Sequence, residues 1–107
     1  MNRYGRTAQA YWETYLPSRV AAIPRAEREA FFSQLGRDVE EQVVTLQPQL
    51  AGPDPAGEGF LEKVGRLNNA RSRAEEMVMA DLVYLPPEPG TEDREPPSTL
   101  PPGVETA

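Results

Sequence analysis

One stretch of this chain constrains its fold more than any other, residues 63–85, KVGRLNNARSRAEEMVMADLVYL. It contains no proline, and its apolar residues recur every three to four positions, which predicts a long amphipathic helix. On a helical wheel one narrow stripe contains Phe60, Val64, Leu67, Ala74, Val78, Leu82 and Leu85. Arg71 falls in the middle of that stripe. Its guanidinium must therefore either find partners at a helix interface or reach out to bind another molecule.

Composition argues against catalysis. The chain has 107 residues, with no cysteine and no histidine. Disulfides, thiolate nucleophiles, imidazole bases and the usual zinc ligands are therefore missing. The neighbouring carboxylates of Glu75 and Glu76 point about 100° apart on a helix, so they cannot act on one substrate. The sequence also lacks a glycine-rich phosphate-binding motif. We expect a protein without catalytic activity, bound metal or cofactor.

The net charge of −6 is unevenly distributed. Most of it lies in residues 86–107, where Arg94 is the one base and the acids are Glu88, Glu92, Asp93, Glu95 and Glu105. The preceding part of the chain is nearly neutral, and its cations are arginines apart from Lys63. Bulk electrostatics thus oppose binding to nucleic acid. No segment is apolar for long enough to span a bilayer, so we expect a soluble cytoplasmic protein.

Two further helices are predicted before the Arg71 segment. The first covers residues 6–16, and its aromatic face comprises Tyr4, Ala8, Tyr11, Trp12, Tyr15 and Leu16. A short turn follows at 19–22 behind Ser18. The second long helix covers residues 25–47, and its buried stripe comprises Phe32, Leu35, Val39, Val43, Leu46 and Leu50. Pro48 should kink or end it.

Residues 51–57 are rich in glycine and proline and predict a loop. Asp54 followed by Pro55 is typical of a helix start, and the third helix should run from there to Leu85. Beyond it, residues 86–107 are rich in proline and acid and predict a disordered tail. We therefore predict an all-α domain, residues 1–85. It is an antiparallel hairpin of two long helices with a shorter N-terminal aromatic helix packed across it.

Two interpretations of Arg71 remain open. Asn68 and Glu75 flank it at helical spacing, and a hydroxyl of Tyr11 or Tyr15 could complete a polar set. In the first interpretation this set is a structural pin that fixes the register of the helices. In the second, Arg71 and Asn68 form a polar notch for a partner's carboxylate, phosphate or backbone.

The outer face of the same helix carries a polar ridge formed by Arg66, Asn69 and Arg73. Such a ridge is either an ordinary solvated face or a contact surface for a partner. Arginine and asparagine can also read bases in a major groove. Arg3 and Arg6 belong to a short basic N-terminal arm that could enter a minor groove. Direct DNA contact would thus use Arg3, Arg6, Arg66 and Arg73.

The run LNNARSRAEEMVMADLVY, residues 67–84, together with YGR at residues 4–6, resembles the transposon-encoded TnpV family. The resemblance implies a small accessory protein of a mobile genetic element, carried beside a site-specific recombinase. The positions that match are Tyr4, Gly5, Arg6, Asn68, Asn69, Arg71, Arg73, Glu75 and Glu76. Family members have been likened to excisionases, but this chain is acidic and shows no winged-helix pattern.

These features leave three functional hypotheses. The first is an accessory or regulatory protein that contacts a recombinase, a relaxase or another mobile-element protein by inserting helices into grooves. The alternative is an excisionase-like factor that binds DNA directly and sets the direction of recombination. The third is a structural homo-oligomer, because so small a core favours dimerisation.

Overall fold

The computed structural model describes residues 1–97, and its secondary structure there is entirely helical. The helices are α1 (Arg3–Tyr15), α2 (Pro17–Ala21), α3 (Arg28–Ala51) and α4 (Phe60–Leu82), and a short 3-10 turn (Arg25–Glu27) precedes α3. Helices α3 and α4 form the predicted hairpin, and α1 packs against it. The described part is elongated, with extents of 53 × 29 × 18 Å. The predicted all-α architecture is confirmed.

Helix α1 begins at Arg3 rather than at residue 6, because Asn2 caps it. The Asn2 side chain accepts a hydrogen bond from Gly5 N at 2.9 Å and donates one to Gly36 O of α3 at 3.0 Å. The predicted exposed N-terminal arm is therefore the first turn of a packed helix. The predicted aromatic face is confirmed, and its buried members are Tyr4, Ala8, Tyr11, Trp12, Tyr15 and Leu16.

Helices α1 and α3 come unusually close where Gly5 meets Gly36. A Cβ added to Gly36 would lie 2.7 Å from Gly5 N and 2.2 Å from the Asn2 side chain. One turn earlier on α3, the backbone oxygen of Phe32 would lie 2.6 Å from a Cβ at Gly5. Glycine at position 36 weakens an isolated helix, but here it permits the crossing of two helices.

Helix α3 contains Pro48 and runs through it to Ala51. Of the two expected effects of Pro48, a kink or an end of the helix, the end is therefore wrong. The proline lies in the last turn, where its missing N–H costs one hydrogen bond and only a few helical residues remain to be disturbed. Gly52 then leaves the helix with a φ of 68°, and its N–H bonds to Pro48 O at 3.0 Å. Of the stripe predicted to be buried on α3, Phe32, Val39 and Val43 are buried, whereas Leu35, Leu46 and Leu50 are only partly buried.

Helix α4 is shorter at both ends than predicted, and its apolar stripe is only half buried. Ala70, Ala74, Val78 and Met79 are buried, whereas Phe60 is 78% exposed and Val64 is 38% exposed. The first turns of α4 extend beyond the N-terminus of α1, and no third helix within residues 1–97 covers them. The stripe predicted from periodicity is therefore wrong in these turns.

Aromatic side chains of α1 bind the backbone that comes after α4. Trp12 Nε1 donates to Val83 O at 3.0 Å, and the Tyr11 hydroxyl donates to Leu85 O at 2.7 Å. These bonds satisfy carbonyls at a helix end that would otherwise lack donors. They hold the chain against α1 just after α4 ends at Leu82, three residues before the predicted end.

Residues 86–94 lie against α1 and α2, which corrects the prediction that the disordered tail starts at Pro86. Glu88 N donates to Tyr15 O at 2.9 Å, and the Glu88 carboxylate accepts from Ser18 N at 3.1 Å. The Tyr15 hydroxyl donates to Arg94 O at 2.9 Å, and Thr91 is only 3% exposed. Specific polar contacts thus hold a segment that contains little apolar surface. The rest of the predicted tail, residues 98–107, lies outside the described residues.

Among residues 1–97, no helix combines the length and the apolar character needed to cross a bilayer.

Candidate functional site

A polar cluster surrounds the hydroxyl of Tyr4, where the first turn of α1 meets the middle of α4. The hydroxyl donates to Glu75 Oε2 and accepts from Arg3 Nη2 at 3.2 Å and Arg71 Nη2 at 3.3 Å. Arg3 also pairs directly with Glu75. Arg71 Nη2 lies 3.6 Å from Glu40 Oε1 on α3. Two cations and two carboxylates therefore balance around one phenol, and the cluster links three helices.

The neutral form of this phenol is favoured by its surroundings. Burial, followed by the hydrogen bond to Glu75, raises the pKa of Tyr4 above its ordinary value of 10.0. The hydroxyl thus keeps its proton at neutral pH and can donate it to the carboxylate.

Arg71 lies at the edge of the helix interface, with its side chain 38% exposed, and not in the middle of a core. Its carboxylate partner is Glu40 rather than the predicted Glu75, and the tyrosine involved is Tyr4 rather than one further along α1. Asn68 is exposed and makes no part of the cluster. Because the charge of Arg71 is already balanced within the chain, the contacts favour the structural pin over the binding notch.

Arg66 clamps the loop between α3 and α4. Its guanidinium donates to Glu58 Oε2 at 2.7 Å, to Asp54 Oδ1 at 2.6 Å and to Ala51 O at 2.7 Å. Its side chain is only 20% exposed, and these bonds, those to Glu58 foremost, raise its pKa above the ordinary value. The sequence placed Arg66 on an outer polar ridge together with Asn69 and Arg73. Instead it holds the loop and the last carbonyls of α3.

The four arginines proposed for DNA contact do not form one basic surface. Arg3 is paired with Glu75, and Arg66 is engaged in the loop. Arg6 Nη1 donates to Met1 O at 2.7 Å. Arg73 is exposed two residues before Glu75 and points to nearly the opposite side of α4 from it. Asn69 and Glu76 are exposed on the outer side of α4 together with Arg73.

A groove of about 480 Å³ runs between α3 and α4 on the side that α1 leaves uncovered. Its apolar surface comes from both helices and comprises Leu35, Leu46, Met77, Val78 and Leu82. Met77 is 47% exposed, although its neighbours Val78 and Met79 are buried. Leu35, Leu46 and Leu82 are partly buried and join the groove to the core. A partner side chain entering here would thus meet a continuous apolar floor.

The polar residues of the groove give it a single sign of charge. Asp38 and Glu41 line it from α3, and Asp81 lines it from α4. The remaining polar lining residues, Gln42, Thr45 and Gln49, are uncharged, and no lysine or arginine of the described residues lines the groove. In the part of the chain that the structure describes, no three carboxylates gather closely enough to hold a metal ion. The carboxylates instead form an acidic rim along an apolar floor.

Sequence patterns alone did not reveal this groove. None of the three carboxylates, Asp38, Glu41 and Asp81, was singled out from the sequence. The one signal available was Met77, an apolar residue outside the predicted stripe of α4. The rim becomes visible only when the pairing of α3 with α4 places Asp81 opposite Asp38 and Glu41.

Comparisons with protein-family models, with curated proteins and with solved structures found no match to this chain.

Proposed function

We propose that this protein is a non-enzymatic accessory protein that binds an amphipathic, basic helix of a partner protein in the groove between α3 and α4. One observation carries the proposal. The groove combines an apolar floor with a rim of three carboxylates, Asp38, Glu41 and Asp81, and no cationic side chain among residues 1–97 lines it.

Helix-in-groove binding explains both halves of this arrangement. The apolar face of a partner helix would cover Leu35, Leu46 and Met77, removing their exposed surface from water. Lysine or arginine on the flanks of that helix would face the carboxylates on either side. The net charge of −6 would also increase the rate at which a basic partner arrives.

The resemblance of residues 67–84 to the TnpV family suggests the setting. We propose that the partner is a cytoplasmic protein of a mobile genetic element, either a recombinase or a relaxase. These enzymes bind DNA and therefore need basic surfaces. A basic helix of such an enzyme fits an acidic groove, and binding it here could compete with its contact to DNA.

The direct test is a binding titration by fluorescence anisotropy. The first probe is a designed helix with leucine on one face and lysine on the other, and the second is a recombinase of a mobile genetic element. A designed leucine and glutamate helix serves as the charge control. We expect binding of the lysine helix and of the recombinase only, with affinity that falls as salt rises.

Charge reversal locates the site. Asp38→Lys combined with Glu41→Lys should weaken binding about tenfold, because two rim pairs are lost and two repulsions are added. Glu13→Lys combined with Glu92→Lys makes the same change in net charge on exposed residues outside the groove, and should have a much smaller effect. Equal losses in the two double variants would contradict the groove as the binding site.

Duplex DNA tests the alternative of an excisionase-like factor. That function requires binding of DNA by this chain alone, with affinity that drops steeply as salt increases. We expect no gel shift at micromolar protein, because Arg3 and Arg66 are neutralised by carboxylates of the chain. A shift that disappears in Arg73→Glu would favour the alternative.

A further inference from the structure

The hairpin has a second uncovered surface at its loop end, on the same side as α1. Helix α1 begins beside the Glu40–Arg71 pair, whereas α3 continues past Glu40 to Ala51, a distance of about 16 Å at 1.5 Å per residue. Over that length no third helix of the described part of the chain lies against α3 and α4 on this side. The surface has four exposed apolar residues, Val44 (54%), Phe60 (78%), Leu61 (81%) and Val64 (38%). We call this surface the front face.

Helical spacing places Val44, Phe60 and Val64 on one face, and Leu61 lies at its edge, about 100° around α4 from Phe60. Val44 follows Glu40 by one turn, and Val64 precedes Arg71 by two turns. Since Glu40 and Arg71 meet beside Tyr4 of α1, both valines lie on the side of the hairpin that α1 occupies further down. Phe60 precedes Val64 by one turn. The front face therefore extends the surface of the hairpin against which α1 packs. That surface already accommodates a helix further along the hairpin.

Most of the charged groups that border the front face are paired with one another, although the whole chain carries −6. At its base the charges of Glu40 and Arg71 offset each other. The charged groups of the adjacent loop pair with one another: Arg66 binds Glu58 and Asp54, and Lys63 binds Asp54. Gln47 donates its amide to Leu67 O at 3.2 Å. Two acidic molecules could therefore bring these faces together with most of the bordering charges already paired.

We propose that the front face binds a second copy of this chain. In a two-fold dimer each surface meets its own equivalent, which suits a face that is apolar and bordered mostly by paired charges. Two hairpin ends packed in this way form a local four-helix bundle and cover Phe60, Leu61, Val64 and Val44 from both copies. The face is two helices wide and about 16 Å long, smaller than the roughly 800 Å² per partner of a standard interface. The dimer should thus be weak and dependent on concentration.

Sedimentation equilibrium of the whole chain tests this proposal from micromolar to millimolar concentration. We expect a reversible monomer–dimer equilibrium in the wild type. Phe60→Ser combined with Leu61→Ser should weaken it about tenfold or more, because the apolar surface buried between copies is lost. Met77→Ser is the matched control, since it removes an exposed apolar residue from α4 on the groove side. It should leave the equilibrium unchanged.

Thermal melts of dilute samples show whether the variants fold. The Phe60 and Leu61 side chains are mostly exposed in the single chain, so the double variant should melt at the wild-type temperature. The association constant should also not fall as salt rises, in contrast to binding in the acidic groove. A wild type that remains monomeric at millimolar concentration would overturn the proposal. So would a dimer that the double variant preserves or that high salt dissociates.

Discussion

Phe32 and Phe60 occupy the two long helices of the same hairpin, yet Phe32 is fully buried and Phe60 is 78% exposed. Phe32 lies at the aromatic end of the molecule, where α1 covers the hairpin and the ring of Trp12 meets it edge-on at 5.7 Å. Phe60 lies at the loop end, beyond the reach of α1. The burial of these two phenylalanines is thus decided by whether α1 covers that part of the hairpin, and not by residue type.

The two ends also satisfy their polar groups differently. At the aromatic end, Tyr11, Trp12 and Tyr15 donate to backbone carbonyls of the segment after α4. At the loop end, Arg66 binds carboxylates and the final carbonyls of α3. A tyrosine or tryptophan side chain supplies both apolar surface and a hydrogen-bond donor, so the aromatic end can exclude water and still satisfy these carbonyls. The ion pairs of the loop end, in contrast, need no apolar side chains packed around them. This leaves its apolar residues accessible to a partner.

The largest expected effect comes from truncating the two phenylalanines. Phe32→Ala should reduce the free energy of unfolding by about 3–5 kcal/mol, because it leaves a cavity in the aromatic end. Phe60→Ala should change the free energy of unfolding of the monomer by less than about 0.5 kcal/mol. Urea titrations followed by circular dichroism, at low protein concentration, measure both. Comparable losses would show that Phe60 is covered in the single chain.

The next largest effect on stability is expected from alanine substitutions at two glycines. Gly36→Ala should destabilise the fold by about 1–3 kcal/mol, because the new methyl would overlap Gly5 and Asn2 at the helix crossing. Gly65→Ala at the loop end meets nothing within 4 Å and should stabilise α4 by up to about 1 kcal/mol. The two variants have the same chemistry, so opposite signs in thermal melts would confirm that only the aromatic end is tightly packed.

Two tyrosines of the aromatic end differ in whether their hydroxyl makes a hydrogen bond. The Tyr84 hydroxyl is buried and has no hydrogen-bond partner among the described residues, so Tyr84→Phe should stabilise the fold by about 1–3 kcal/mol. The Tyr11 hydroxyl donates to Leu85 O, and Tyr11→Phe should destabilise the fold by about 1 kcal/mol. Urea titrations of both variants measure these shifts. A loss of stability in Tyr84→Phe would mean that its hydroxyl is bonded.

Alkaline pH provides a second measure of the same contrast. Burial raises the pKa of Tyr84 from 10.0 to about 12. The pKa of Tyr84 in the folded state lies above that in the unfolded state, so folding favours the neutral phenol. The stability linked to the neutral phenol is therefore fully present below pH 10 and is lost as pH rises towards about 12. Unfolding midpoints measured through this window should therefore fall in the wild type. They should fall less in Tyr84→Phe, where Tyr11 and Tyr4 are the remaining phenols with raised pKa values.

The smallest effect concerns the segment that Glu88 attaches to α2. Desolvation opposes ionisation of Glu88, but hydrogen bonds from the N–H groups of Ser18 and Arg19 outweigh it and lower its pKa below 4.5. A lowered folded pKa means that the attachment is complete above about pH 4.5 and is lost as pH falls through the folded pKa. Amide NMR signals of Ser18 and Thr91 should shift together over that range. In Glu88→Gln they should not follow pH.

The sequence predicted much of the aromatic end because its signals are local. Apolar periodicity indicated all three packed helices, and the aromatic face of α1 was identified residue by residue. It missed Asn2 as a cap, because the capping signal lies at the start of a segment interpreted as a basic arm. It also treated the proline-rich region after Leu85 as a disordered tail. Composition showed that this region could not form a core, but it could not show that Tyr15, Ser18 and Arg19 would hold it by polar contacts.

The candidate groove depended on information that no single helix contains. Asp38 and Glu41 are separated from Asp81 by the whole hairpin, so their common rim exists only after the helices pair.

Helical periodicity, the position of the glycine- and proline-rich loop and the absence of strand signals determined that this chain is an all-α hairpin with an aromatic helix against it. These properties arise from side-chain spacing along one helix at a time, which the sequence contains in full. The tertiary structure alone decided where α1 begins along the hairpin, and with it which half of the α4 stripe is covered. It also decided that Arg71 pairs with Glu40 and that Arg66 turns into the loop. Those outcomes depend on the register between helices, which is set by close contacts such as Gly5 against Gly36 and not by the pattern of any one segment.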